Sequence, residues 1–211
     1  MCGPVAMFNN RRKTTDKHRP RGWWMTIGRL RRSRDGAAAI EFAMLAIPYC
    51  MIVFAILETC IAFLGDQLVG MAVDTMARKI RTGQITTAVS EEQFRQEFCD
   101  EISILITCSP EEIKTPAKLY LDVRSFPDFE SIPKGVPRVS SERFADLDPS
   151  SFGYTPGGPQ TINMVRAYYR WDIVTDLVRP YISTARPADG SMSTFLIVQS
   201  AAFATEQAVT P

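Results

Sequence analysis

The sequence predicts an α+β fold, in which a long N-terminal transmembrane helix extends into a small domain with a second helix and an antiparallel sheet of about three strands. Three observations predict it. Between Ala37 and Leu64 the run is apolar and carries only two charges, Glu41 and Glu58. Beyond Leu64, apolar residues recur every third or fourth position as far as Ile80, the period of one helix face. After Pro116 the period drops to two, as in half-buried strands.

The first element is a basic leader. Residues 1–36 hold ten Lys or Arg against Asp16 and Asp35, a balance of +8, and residues 37–211 balance at −7, so the net charge of +1 hides an asymmetry. Cationic flanks stay on the cytoplasmic side of a membrane, which predicts a cytoplasmic N-terminus, one span and a body on the far side. Residues 1–28 show no apolar periodicity and are expected to be disordered. Trp23 and Trp24 are placed to sit among lipid headgroups. The competing reading, a solvated basic tail that binds nucleic acid, lacks the folded basic surface that should follow it. Met1, Met7 and Met25 are all candidate starts.

The span, residues 37–64, is about 42 Å long as a helix, against a hydrocarbon core of about 30 Å. It is longer than the core of a secretory signal, and no Ala-x-Ala site follows it. A helix buried in a soluble core is the competing reading, which the Arg cluster just before the run opposes. Pro48 is expected to kink the helix. The stripe Leu64, Leu68, Met71, Thr75, Met76 and Ile80 is expected to face the body, and Gly83 to stop the helix near Thr82.

Ser90-Glu91-Glu92-Gln93 reads as a capping box that opens a second helix, running to about Ile106 with Phe94, Phe98, Ile102 and Leu105 buried. Cys99 and Cys108 follow in a segment placed outside the cytoplasm, where a disulfide persists. Nine residues of straight helix separate Cα atoms by about 13 Å, too far for the bond, so the helix must end between them, and Thr107-Cys108-Ser109-Pro110 is a natural stop. The competing reading is a pair of buried free thiols. Cys50 and Cys60 point about 280° apart on the span and Cys2 lies in the leader.

Residues 117–126 alternate, with Leu119, Leu121 and Val123 on one face and Tyr120, Asp122 and Arg124 on the other. Ile162 to Trp171 and Ser193 to Phe203 are the other two strands, with Val165, Ala167, Tyr169 and Trp171 sharing a face. Between them, residues 127–160 are dense in Pro, Gly, Ser and Asp and read as a flexible loop. The division is thus a leader 1–36, a span 37–64 and an α+β body 65–211.

Catalytic chemistry finds little purchase here. His18, in the leader, is the only histidine. Histidine-based nucleophilic triads and the common zinc sets are therefore excluded from the body. The glycines of residues 153–159 lack the Gly-Lys-Ser/Thr of a phosphate cradle and read as turns. Glu91/Glu92 and Glu111/Glu112 read as solvated surface pairs. No enzyme, metal, cofactor, nucleic acid or small-molecule substrate is expected.

The stretch Gly36-Ala37-Ala38-Ala39-Ile40-Glu41-Phe42 joins the two halves of this pattern. A carboxylate near a membrane helix costs up to roughly 2.5–3.5 kcal/mol, so it usually has a partner and a task. Glu41 lies five residues past a glycine, directly after Arg29, Arg31, Arg32 and Arg34. This arrangement resembles the processing site of type IV pilins. The wider segment from Gly36 to Pro48 resembles the TadE/TadG-like family, pilin-like proteins of the tight-adherence (Flp) pilus. Phe98-Cys99 with Cys108, residues 119–126 and residues 165–171 are weaker landmarks of the same family. The resemblance implies a pilin-like fold in the bacterial inner membrane, with the leader removed and the body in the periplasm. It implies a processing site at Gly36 and Ala37, read by a prepilin peptidase, and an assembly role for Glu41 and Phe42. The implied partners are other pilin-like subunits and the pilus assembly platform. Ala at position 37 and the large body are similar to an accessory or minor subunit rather than a major pilin. An unprocessed single-pass anchor for a binding or sensing module is the alternative, in which Glu41 is a juxtamembrane acid reaching the headgroups.

Overall fold

A computed structural model describes residues 34–206 except 177, 188 and 189. Residues 1–33 of the leader, with Cys2, His18, Trp23, Trp24 and Arg29 to Arg32, lie outside the described residues. By contacts the chain divides into a unit ending at Cys50 and a unit beginning at Met51.

In chain order the elements are helix α1 (Arg34–Arg81), helix α2 (Glu91–Ile102), short helix α3 (Pro110–Lys114), strand β1 (Leu119–Phe126), strand β2 (Tyr154–Thr155), strand β3 (Ile162–Asp172), short helix α4 (Arg179–Ile182) and strand β4 (Thr194–Ala204). The sheet has the order β2-β1-β3-β4. β3 pairs antiparallel with β1 and β4, whereas β2 joins β1 in parallel. The α+β class holds, with a mixed four-stranded sheet in place of three antiparallel strands. The extra strand is two residues long, inside the Gly- and Pro-rich 153–159 stretch, too short to show a period.

α1 continues through Pro48 and ends in a Schellman turn. Gly83 takes φ 74°, its N–H donates to Ile80 O, and Gln84 N–H donates to Lys79 O. Its body-facing stripe differs from the expected one. Met76 and Ile80 are buried as expected, but Leu64 and Met71 are more than 60% exposed, and Ala62, Val69, Ala72, Val73 and Ala77 are buried in their place. Small residues win that face because the helix lies close to the sheet: a Cβ on Gly65 would meet the Trp171 ring at 2.7 Å.

α2 opens with the reciprocal cap. Gln93 N–H donates to Ser90 Oγ and Ser90 N–H to Gln93 Oε1. Phe94, Phe98 and Ile102 are buried as expected, but Leu105 is 40% exposed and Ile106 is buried in its place. The helix ends at Ile102 with Ser103 as its C-cap, so the helical period no longer places residue 105.

Both faces of the sheet are covered. On one side Leu119, Leu121, Val123, Val165, Ala167 and Ile197 pack with α1 and α2. On the other, Tyr168, Leu147, Ala185 and Leu196 form a second apolar cluster. Part of the loop 127–160 supplies that cover. Phe152 stacks on Tyr168 at 4.7 Å between centroids. Arg166 donates to the carbonyls of Pro133 and Gly135, and Arg170 pairs with Asp146 at 3.0 Å. Asp122, 1% exposed, accepts from Gly153 N–H and pairs with Arg124 at 2.7 Å.

Candidate functional site

The N-terminal part of α1 carries four of the six residues singled out in the sequence. Gly36 is half-buried, and Ala37, Glu41 and Phe42 are exposed. All four lie inside the helix, because α1 begins at Arg34. Glu41 is one turn beyond Ala37, so the two share a helix face. From Ile40 to Leu64 the large apolar side chains are exposed, Phe42 at 72% and Met44 at 73% among them. Among the described residues one helix is long and apolar enough to cross a membrane, with a mean hydropathy of 2.3 in its most apolar window, none of which is buried. A soluble core helix of that composition would be covered by its own domain.

The other two residues meet in the body. Cys99 and Cys108 form a disulfide with a Cα–Cα distance of 5.9 Å. The end of α2 at Ile102 makes that approach possible. Around the bond, two residues with no sequence signal lock α2, α3 and β1 together. Arg95, 3% exposed, donates through Nε to Ile113 O at 2.9 Å and through one terminal nitrogen to Glu112 O and Leu119 O at 2.8 and 2.9 Å. Burial lowers its pKa, countered by the carboxylates of Glu91 and Glu112. Glu112 does not behave as a plain surface acid. Its Oε1 accepts from the backbone N–H groups of Ala117, Lys118 and Leu119, which fixes the entry to β1. Ser109 caps α3, with Pro110 at its first position.

Glu58 also has a structural partner. Its carboxylate accepts the N–H of Val174, and Thr175 N–H donates to both of its oxygens at 3.0 and 3.2 Å. Gln199 reaches Asp66, about two turns further along α1, at 2.9 Å. Lys79 pairs with Glu97 and Glu101 of α2 at 3.3 and 3.2 Å. Periodicity cannot reveal these contacts, since each joins residues distant in sequence. Among the described residues no group of three His, Cys, Asp or Glu side chains is placed to hold a metal ion.

No curated protein and no solved structure shows a significant match to this chain. A family comparison does find one, over a segment that starts at the glycine of the Gly36–Phe42 stretch, takes in the whole apolar run and stops before α2. Residues 36–78 match the family described as TadE-like protein, so that segment of the chain is similar to that family.

Proposed function

We propose that this chain is a non-enzymatic pseudopilin, a minor pilin-like component needed to assemble a tight-adherence (Flp type IVb) pilus. The observation that carries the reading is the TadE-like segment, with Gly36 at its start and an exposed apolar helix behind it. In this reading the leader stays in the cytoplasm, residues 37–64 cross the bacterial inner membrane, and the body folds in the periplasm. An oxidising compartment is where the Cys99–Cys108 bond persists.

A prepilin peptidase cuts between Gly36 and Ala37. That bond lies in the first turn of α1. The cut leaves an ammonium group on Ala37 at the membrane edge. Glu41 of a neighbouring pilin-like subunit pairs with it, offsetting the cost of a carboxylate in lipid. Phe42 adds an apolar contact beside the pair. Ala37, Ala38, Ala39, Ala43 and Ala46 let the neighbouring helix approach closely. The remaining partners are the assembly platform and the membrane itself.

Glu41→Gln in pilus-producing cells separates processing from assembly. Leader removal is expected to continue while surface pili are lost. Normal piliation by Glu41→Gln cells overturns the pairing mechanism.

A further inference from the structure

We propose that the turn Ile173–Asp176, with the cleft between it and α1, is a lipid-facing foot that rests in the outer interfacial layer of the membrane and takes a phospholipid acyl chain. The inference rests on the membrane-spanning reading of residues 37–64 and goes beyond it, since it places part of the folded body against lipid.

About 20 residues of helix cross the hydrocarbon, so a span that begins at Ala37 reaches the outer boundary close to Leu57 and Glu58. Glu58 is the residue that holds the turn, by accepting the N–H groups of Val174 and Thr175. The turn is thereby fixed at the level of the membrane edge.

Backbone groups next to hydrocarbon need partners within the protein. Here Val174 N–H and Thr175 N–H go to Glu58, Ile173 O accepts from Arg179 at 2.7 Å, and Thr175 O accepts from the N–H groups of Val178 and Arg179. On the outside of the same turn Val174 is 86% exposed.

The cleft, about 540 Å³, is walled by Met51, Phe54, Leu57 and Ile61 from α1 and by Trp171 and Val174 from the body, with Glu58, Asp172 and Thr175 at its polar edge. The α1 wall belongs to the same apolar run as the span, so the cleft is continuous with the lipid-facing surface. Trp171 closes it at the level where indole rings favour the interface.

The test uses the full chain with Trp23→Phe and Trp24→Phe, which leaves Trp171 as the reporter, reconstituted in phosphatidylcholine vesicles. One set of vesicles carries bromine near the headgroup end of the acyl chains and another near the chain terminus. The chain should float with the vesicles and resist alkaline extraction. Trp171 emission should be lost to the shallow bromolipid, less so to the deep one, and little to aqueous iodide. Val174→Glu should restore most of that emission without changing flotation. Flotation with strong iodide quenching and no bromolipid quenching overturns the foot and leaves the span standing. Flotation with protection from both quenchers shows that a second chain covers the cleft and also overturns it. Failure to float overturns the spanning reading and the foot together.

Discussion

Replacing Arg95 by Met should be among the most damaging single changes in the body. The side chain is 3% exposed and its guanidinium makes three bonds, to the carbonyls of Glu112, Ile113 and Leu119. Hydrogen bonds to a charged group contribute roughly 1.5–3 kcal/mol each, or about 4.5–9 kcal/mol for three. Against this, Met removes the penalty of holding a cation out of water, which is several kcal/mol. The difference predicts a loss of about 3 kcal/mol. Lys in the same place keeps the charge but cannot serve three divergent carbonyls, so Arg95→Lys should recover less than half of the loss. Urea unfolding of the full chain in detergent, followed by near-ultraviolet circular dichroism of the body's aromatic residues, reads both variants. A loss below about 1 kcal/mol for Arg95→Met would refute the reasoning, since it would mean that the three carbonyls find other partners or that desolvation cancels the bonds.

Other expectations follow from the same region of the body. Cys99→Ser removes a short cross-link and should cost roughly 2–3 kcal/mol in the chain-entropy model, with reduction of the unmutated protein giving the same loss in the same urea assay. An equal midpoint before and after reduction would contradict it. Alkali should destabilise the body, because burial pushes the Tyr154 phenol up to about 12, with the carboxylates of Glu97 and Glu91 adding to the effect. Burial also raises Tyr168 and Tyr169. An unfolded tyrosine ionises near 10 while Tyr154 remains neutral to about 12, so its contribution is complete below pH 10 and is lost as pH rises through that window. Tyr154→Phe should flatten the decline between pH 10 and 12, and at neutral pH it should cost little, since Tyr154 Oη has no hydrogen-bond partner among the described residues. An unchanged alkaline slope in Tyr154→Phe would count against this assignment.

What could be seen in the sequence were the features that repeat or sit next to each other. The apolar run, the Ser90–Gln93 box, the Gly83 stop and the three alternating segments all declare themselves within one element. The Cys99–Cys108 pairing was legible from spacing and compartment together. In α1, hydrophobicity favours Leu64 and Met71, whereas the face that meets the body buries Val69 and Ala72 and brings Gly65 close to Trp171. Leu105 was misplaced for a related reason: a period carries no information past the cap that ends it. Arg95 and Glu112 carry no sequence signal because charged residues read as surface unless their distant backbone partners are known, and the partner of Glu58 lies 116 residues away. The loop 127–160 has no period at all, and its cover of the sheet depends on Phe152 finding Tyr168 and on Arg166 and Arg170 finding its carbonyls and Asp146.

The central claim is that the helix is a processed pilin-like anchor. It is tested most directly by intact mass and N-terminal sequencing of the membrane-extracted protein from cells that express the prepilin peptidase and from cells that lack it. The account predicts a chain that begins at Ala37 in the first and retains its leader in the second. A chain that keeps residues before Ala37 in both would contradict it.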